Sequence, residues 1–186
     1  MTLEQRIVEL HQALEAGGIQ HAFGGALALA FWVLQPRGTA DIDVNVFVPA
    51  AECGRALAVL PAGVEQPEGT EDQARRDGQI RLWWQGTPVD LFFDYARIHA
   101  DAARDRVVVP FLADEIPVLG PVELAVFKAM FDRTKDWADI EAMIVAQRLD
   151  LQAVREALCE MVGPDDHRIE RLAEAKRLAE REQPRG

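Results

Sequence analysis

Cysteine is scarce in this sequence, which contains only two in 186 residues. Cys53 and Cys159 lie far apart, so they provide neither a disulfide framework nor the paired spacing of a zinc site. The sequence also has no apolar run near the ~20 residues of a membrane span, and it opens without a charged and then apolar leader. We therefore expect a cytoplasmic protein with reduced thiols and no membrane partner.

The sequence also has few basic residues compared with acidic ones. The chain has 20 Lys and Arg against 31 Asp and Glu, for a net charge of −11. Non-specific affinity for nucleic acid comes mainly from Lys and Arg on phosphates, so this balance argues against a general nucleic-acid coat protein. A local basic patch is still compatible with the charge. Its candidates are Arg37, Arg75, Arg76, Arg81, Lys128, Arg133, Lys135 and Arg148.

Residues 21–48, HAFGGALALAFWVLQPRGTADIDVNVFV, predict a strand, a glycine turn, an apolar helix, a loop and a second strand. Side chains alternate along a strand, so Asp41 and Asp43 would project from one face. Two carboxylates that close repel each other, and a hard divalent metal is the economical way to offset them. Gly24 and Gly25 would let a phosphate approach the unsatisfied N–H groups at the start of the helix.

A third acid lies in a predicted hairpin over residues 79–93, with 85–87 as its turn. Asp90 stands in the apolar context VDLFF, where a solvated loop acid is not expected. Alternation also requires either Trp83 or Trp84 to face outward, which would offer a surface for base stacking.

The rest of the chain predicts mainly helices after two short strands. We expect an α/β core over residues 1–120 and a helical region over 121–186 that packs on it. In the helix that begins at Pro121, Lys128 interrupts an apolar face. That lysine could snorkel to solvent with Asp132 as its ion-pair partner.

The glycine pair, the helix and the following Asp-x-Asp resemble the signature of the nucleotidyltransferase-fold superfamily. The run GGALALAF through RGTADIDV looks most like the abortive-infection toxin (AbiEii-like) type. One departure is that many relatives have Ser at the second position of the pair, where this chain has Gly25 followed by Ala26. Backbone donors would then have to hold the phosphates alone.

The resemblance implies a fold and a metal site. The fold is α/β (α+β), with a small mixed sheet flanked by helices and a helical C-terminal region. Asp41, Asp43 and Asp90 would hold Mg²⁺, in a two-metal site, and Asp90 would also assist deprotonation of the acceptor. The physics agrees, because Mg²⁺ prefers oxygen ligands shared between carboxylates and substrate phosphates.

The resemblance also assigns residues around the triphosphate. Lys128 matches a triphosphate contact that would stabilise the leaving pyrophosphate. Asp136 belongs to a KDWAD cluster that matches the family's fourth motif, with Lys135 and Asp139. The alternative for this cluster is ordinary capping, with Thr134 as N-cap and Asp136 in the first helical turn. For Thr39, a hydroxyl contact to nucleotide and a turn-capping role are equally open.

The implied activity is transfer of a nucleoside monophosphate from an NTP substrate to a hydroxyl, with release of pyrophosphate. Relatives of the toxin type modify the 3′ end of tRNA, so the most specific expectation is a toxin of a toxin–antitoxin or phage-defence pair, with an antitoxin protein as partner. One alternative is transfer to a small molecule such as an antibiotic. The other is a catalytically silent binding or regulatory module, which the missing Ser favours and the three acids oppose.

Overall fold

The structure is a computed structural model that describes residues 1–182 of the chain. The chain forms two compact units. The first contains Met1–Leu27 and Gly38–Leu119, and the second contains Ala28–Arg37 and the described residues from Gly120 onward. This division assigns Ala28–Arg37 to the second unit, whereas the predicted division placed all residues before 121 in the first.

The first unit is built on a mixed sheet, which has seven strands within the described part of the chain. The spatial order is β3-β4-β5-β2-β1-β7-β6. Two neighbouring pairs are parallel, β2 with β5 and β1 with β7, and the other neighbours are antiparallel. The strands are β1 His21–Phe23, β2 Ile42–Pro49, β3 Val64–Glu65, β4 Gln79–Trp84, β5 Thr87–Asp94, β6 Val107–Phe111 and β7 Asp114–Val118.

Five helices begin within the first unit. They are α1 Leu3–Ala16, α2 Gly25–Trp32, α3 Gly54–Leu57, α4 Thr70–Asp77 and α5 Arg97–Asp105, and a 3-10 turn covers Ala50–Glu52. A capping box begins α1, because the Thr2 side chain accepts from the Gln5 N–H and the Gln5 side chain accepts from the Thr2 N–H. No described helix is both long and apolar enough to cross a membrane.

The three adjacent strands β4, β5 and β2 separate an apolar face from a polar one. On the apolar face every side chain is buried, because alternate residues of β4, β5 and β2 point to the same side. Those residues are Ile80, Leu82, Trp84, Val89, Leu91, Phe93, Ile42, Val44 and Val46. The residues between them therefore project from the opposite face, which carries the acids.

The described part of the second unit is helical after Gly120, with α6 Pro121–Phe131, α7 Thr134–Val145, α8 Leu151–Val162 and α9 His167–Glu182. Pro121 occupies the start of α6, as predicted. The N-cap of α7 is Arg133, so the expectation that Thr134 caps this helix is wrong, and no side chain caps it. The predicted α/β class, with its mixed sheet and helical C-terminal region, is confirmed.

Candidate active site

Two of the predicted acids are neighbours on adjacent strands. Asp43 of β2 and Asp90 of β5 are register partners in the parallel ladder, so their side chains leave the same face of the sheet. Asp41 lies just before β2, and its Oδ2 is 3.6 Å from the guanidinium of Arg81 on β4. The structure thus brings together Asp41, Asp43 and Asp90 on one face, and we call these three residues the acid cluster.

Arg81 completes a row of charged side chains across three strands. It is the register partner of Asp90 in the β4–β5 hairpin. Its Nε donates to Oδ1 of Asp90 at 2.7 Å, and its Nη2 donates to Oδ2 at 2.6 Å. These hydrogen bonds raise the pKa of Arg81 above its usual value, and the charges of Asp90, Asp41 and Asp43 act in the same direction. The Asp90 side chain is 15% exposed and that of Arg81 is 52% exposed.

The glycine turn lies directly beside the acid cluster. The backbone N–H of Gly24 donates to the backbone oxygen of Asp43 at 2.9 Å, which joins the end of β1 to β2. Gly25 begins α2 with a φ of +54°, in the left-handed region. A Cβ at Gly25 would lie 2.5 Å from Cγ of Asp43 and would overlap its Oδ2. Both the backbone conformation and the approach of Asp43 therefore require glycine here.

Gly25→Ala is expected to lower the free energy of unfolding by about 3 kcal/mol, because left-handed strain and overpacking against Asp43 add. The matched control is Gly18→Ala. Gly18 also has a positive φ, of +68°, but a Cβ there meets nothing within 4 Å. The control should lose only about 1 kcal/mol. Urea denaturation of both variants measures the difference, and equal losses would show that contact with Asp43 does not constrain Gly25.

Thr39 has a local structural contact. Its hydroxyl donates to the backbone oxygen of Asp41 at 3.2 Å and accepts from the Asp41 N–H at 3.2 Å. This is the geometry of a turn stabilised by its own side chain, which sets the backbone of Asp41 before β2. A nucleotide contact for Thr39 remains a prediction.

In the second unit, Lys128 forms a buried ion pair. Its side chain is 5% exposed, and Nζ donates to Oδ2 of Asp139 at 2.6 Å. Arg37 donates to the same carboxylate, from Nε at 3.1 Å and from Nη2 at 2.9 Å. Burial alone raises the pKa of Asp139, but these hydrogen bonds outweigh it, so its pKa lies below the usual value.

Asp136 lies next to this pair. It is buried, its Oδ1 is 4.0 Å from the Lys128 ammonium, and it accepts from Arg133 at 2.6 and 3.1 Å. Lys135 is exposed. These ion pairs connect five side chains into one group, made of Lys128, Asp139, Arg37, Asp136 and Arg133. The roles that the resemblance assigns to Lys128 and Asp136 remain predictions.

Asp132 is not the partner of Lys128. Its residue ends α6 with a φ of +58°, and its carboxylate accepts from Trp137 at 2.7 Å and contacts His167 and Arg171 at 2.6 Å each. The hydrogen bond with His167, followed by that from Trp137, lowers the pKa of Asp132 to about 2. The expected ion pair between Lys128 and Asp132 is therefore wrong, because the end of α6 directs Asp132 to other partners.

No protein-family model matches the sequence, and no curated protein matches it. Solved structures do match the fold. The antibiotic-resistance factor ANT(2'')-Ia matches with a TM-score of 0.60 and 11% identity, over 85% of this chain and 90% of that one. An antigenic nucleotidyltransferase-like protein from Paracoccidioides brasiliensis matches with a TM-score of 0.50 and 17% identity, over 91% of this chain and 92% of that one. The chain has a nucleotidyltransferase-like fold.

The resemblance to the nucleotidyltransferase-fold superfamily predicts a divalent metal, and the donors of the acid cluster fit one in type. All three are carboxylates, which Mg²⁺ prefers, and two of them are register partners. The positions of these side chains, however, do not form a metal site by themselves. Among the residues that the structure describes, no group of three or more His, Cys, Asp or Glu side chains is arranged to hold a metal ion. Both oxygens of Asp90 instead face the guanidinium of Arg81.

The sequence indicated two arginines only as candidates for a basic patch. Arg81 contacts Asp90, and Arg37 contacts Asp139. The sequence feature that could have revealed the contact between Arg81 and Asp90 is the length of the hairpin turn. Gln85 and Gly86 both have positive φ, of 49° and 81°, as in a two-residue hairpin turn. Counting back from that turn pairs Arg81 with Asp90, whereas the predicted three-residue turn does not.

The predicted outward tryptophan and a buried histidine lie at two other places in the first unit. Trp83 is 46% exposed and Trp84 is buried, so Trp83 is the outward tryptophan, on the same strand face as Arg81. His21 is buried and lines a cavity of about 490 Å³ with His11, outside the acid cluster. Burial lowers the pKa of His21 to about 4, and its ring contacts His11 at 2.9 Å.

Proposed function

We propose that this nucleotidyltransferase-like protein transfers a nucleoside monophosphate from an NTP to a hydroxyl group in a reaction that requires Mg²⁺. The observation that carries the proposal is the pairing of Asp43 with Asp90 beside the bare turn at Gly24 and Gly25. The two side chains are carboxylates, the donor type that Mg²⁺ prefers, and the N-terminus of α2 beside them would bind phosphate.

The reaction balances with the residues present. The acceptor oxygen forms a bond to the α-phosphorus, the bond from that phosphorus to the bridging oxygen breaks, and pyrophosphate leaves. Asp90 accepts the proton of the acceptor hydroxyl, and the N-terminus of α2, which begins at Gly25, would bind phosphate. Asp41, Asp43 and Asp90 would hold Mg²⁺, which when bound offsets negative charge on the phosphates.

For the acceptor, the charge of the chain supports a small hydroxyl compound over tRNA. A net charge of −11 repels a polyanion, and the acid cluster adds local negative charge. Modification of a tRNA 3′ end, the toxin role and an antitoxin partner rest on the resemblance alone. The similar fold of an antibiotic-resistance factor makes hydroxyl-bearing antibiotics the first probes to use.

Label transfer tests the reaction and the acceptor together. The protein is incubated with α-labelled NTPs and Mg²⁺, in one arm with total RNA and in the other with a panel of hydroxyl-bearing antibiotics. We expect label on the small acceptor, with a rate that depends weakly on salt, since few phosphate contacts are made. If label appears on RNA instead, and the transfer rate falls steeply with salt, the acceptor is tRNA and not a small molecule.

A catalytically silent module is the competing function. The absence of a Ser in the glycine pair favours it, since the triphosphate then lacks one hydroxyl donor. Thermal unfolding with saturating NTP and Mg²⁺ separates the two, because a ligand that binds the native state must raise its stability. If NTP with Mg²⁺ does not stabilise the protein and no label is transferred, the protein does not catalyse the proposed reaction.

A further inference from the structure

We propose that the guanidinium of Arg81 is an internal counter-cation of the acid cluster, and that a divalent metal must displace it from Asp90 to bind. Arg81 would then set how tightly the metal is held. The inference rests on the proposed function, because it concerns the same carboxylates. It adds that Arg81, which is not itself a metal ligand, controls the affinity for the metal.

The hydrogen bonds show why the two cations compete. Arg81 uses both oxygens of Asp90, with one N–H directed at each, at 2.7 and 2.6 Å. The fork of the guanidinium matches the carboxylate in shape and charge, so this is the strong, two-bonded form of the pair. Nη2 also lies 3.6 Å from Oδ2 of Asp41. Asp90 and Asp41 are also two of the carboxylates that would hold the metal, so both cations would use the same groups.

The position of Arg81 is built into the hairpin. The turn at Gln85 and Gly86 sets the register of β4 against β5, and that register places Arg81 opposite Asp90. The next strand places Asp43 opposite Asp90 from the other side. The arginine therefore faces the acids through backbone pairing, and its contact with them does not depend on a flexible loop.

Displacement is energetically accessible. The Arg81 side chain is half exposed, so its guanidinium can leave Asp90 for solvent, where water replaces the lost hydrogen bonds. The acid cluster contains three carboxylates, and their negative charges attract a divalent cation. The pair is thus strong enough to order Asp90 without the metal and weak enough to yield to it.

Mn²⁺ binding measures the competition without any turnover. Free Mn²⁺ is followed by electron paramagnetic resonance in titrations of wild type, Arg81→Gln and Arg104→Gln. Arg104 is the matched control, since it makes the same two-bonded pair with Asp105 on an exposed surface of the same unit. We expect Arg81→Gln to bind Mn²⁺ about three- to tenfold more tightly than wild type, as loss of an exposed pair predicts. Arg104→Gln should bind as wild type does.

Two further variants make each outcome decisive. Arg81→Lys keeps the charge without the fork, and its affinity should lie between those of wild type and Arg81→Gln. Adding Asp90→Asn to Arg81→Gln should remove the gain, which locates the metal at this carboxylate. Equal or weaker Mn²⁺ binding by Arg81→Gln overturns the competition while leaving the proposed function intact. Absence of Mn²⁺ binding in every variant, including Arg81→Gln, overturns the metal site and the competition together.

Discussion

Asp43→Asn is expected to lower the rate of the proposed nucleotide transfer about 10³-fold, because Asp43 is a proposed metal ligand. Losing such a ligand removes several kcal/mol of transition-state stabilisation, and each 1.36 kcal/mol is tenfold in rate. The substitution removes one negative charge and keeps the shape of the side chain. That shape matters, because Asp43 packs against the backbone of Gly25. The fold should therefore survive, and the loss should appear in kcat.

Initial rates of label transfer measure this effect. Asp105→Asn is the control, since Asp105 is an arginine-paired carboxylate outside the acid cluster and its variant should keep wild-type rates. Asp90→Asn should lose as much activity as Asp43→Asn if Asp90 is both ligand and base. Activity within tenfold of wild type for Asp43→Asn, with the fold intact by circular dichroism, would remove the acid cluster from the mechanism.

Asp139→Ala is expected to lower the free energy of unfolding by about 3–5 kcal/mol, because breaking a buried pair leaves an uncompensated charge. The Asp139 side chain is 8% exposed, and Lys128, 5% exposed, loses its 2.6 Å partner. The second carboxylate near Lys128 belongs to Asp136, at 4.0 Å, and that group is held by Arg133. The lysine would thus be buried with a weak partner.

Urea denaturation at neutral pH tests this loss against two other variants. Arg37→Ala removes an arginine that is nearly half exposed and should lose no more than about 1 kcal/mol. Replacing both members, with Lys128→Met and Asp139→Leu together, should restore much of the stability, since apolar residues can substitute for a buried pair. A loss below about 1 kcal/mol for Asp139→Ala would contradict a structural role for the ion pair.

The pH dependence of stability provides a second check on Asp139. Its pKa in the folded protein is lower than usual, so its contribution is present above the usual carboxyl range and is lost as the pH falls through the lowered value. Wild type should therefore lose more stability on acidification than Asp139→Ala does. The comparison needs only the difference between the two proteins, since their other carboxylates are the same.

The hairpin shows how far sequence patterns lead. Alternation over residues 79–93 predicted both strands, and the structure has them at Gln79–Trp84 and Thr87–Asp94. The predicted turn was one residue too long. In a hairpin the turn length decides the register, so this single residue hides the contact between Arg81 and Asp90. The period of a strand shows which face of the sheet a residue occupies, but it does not show which residue pairs with it on the neighbouring strand.

Lys128 shows a limit of a different kind. A lysine on an apolar helix with an acid four residues on suggests a local ion pair, since that spacing places them on one helix face. The partner is Asp139, on the next helix, because Asp132 ends α6 in a left-handed conformation and turns toward α9. Contacts between helices depend on how the helices pack, and spacing along one helix carries no information about that.

By itself, the sequence determined the mixed α/β class, the strand with Asp43, the strand with Asp90 and the bare turn at Gly24 and Gly25. The two strands and the turn follow from local rules, because alternation, turn residues and helix starts depend on near neighbours in the chain. The mixed sheet was predicted from the resemblance to the nucleotidyltransferase-fold superfamily. Only the tertiary structure decided that Arg81 binds Asp90 and that Arg37 and Lys128 meet on Asp139. These contacts join residues on different elements, and strand register and helix packing set their partners.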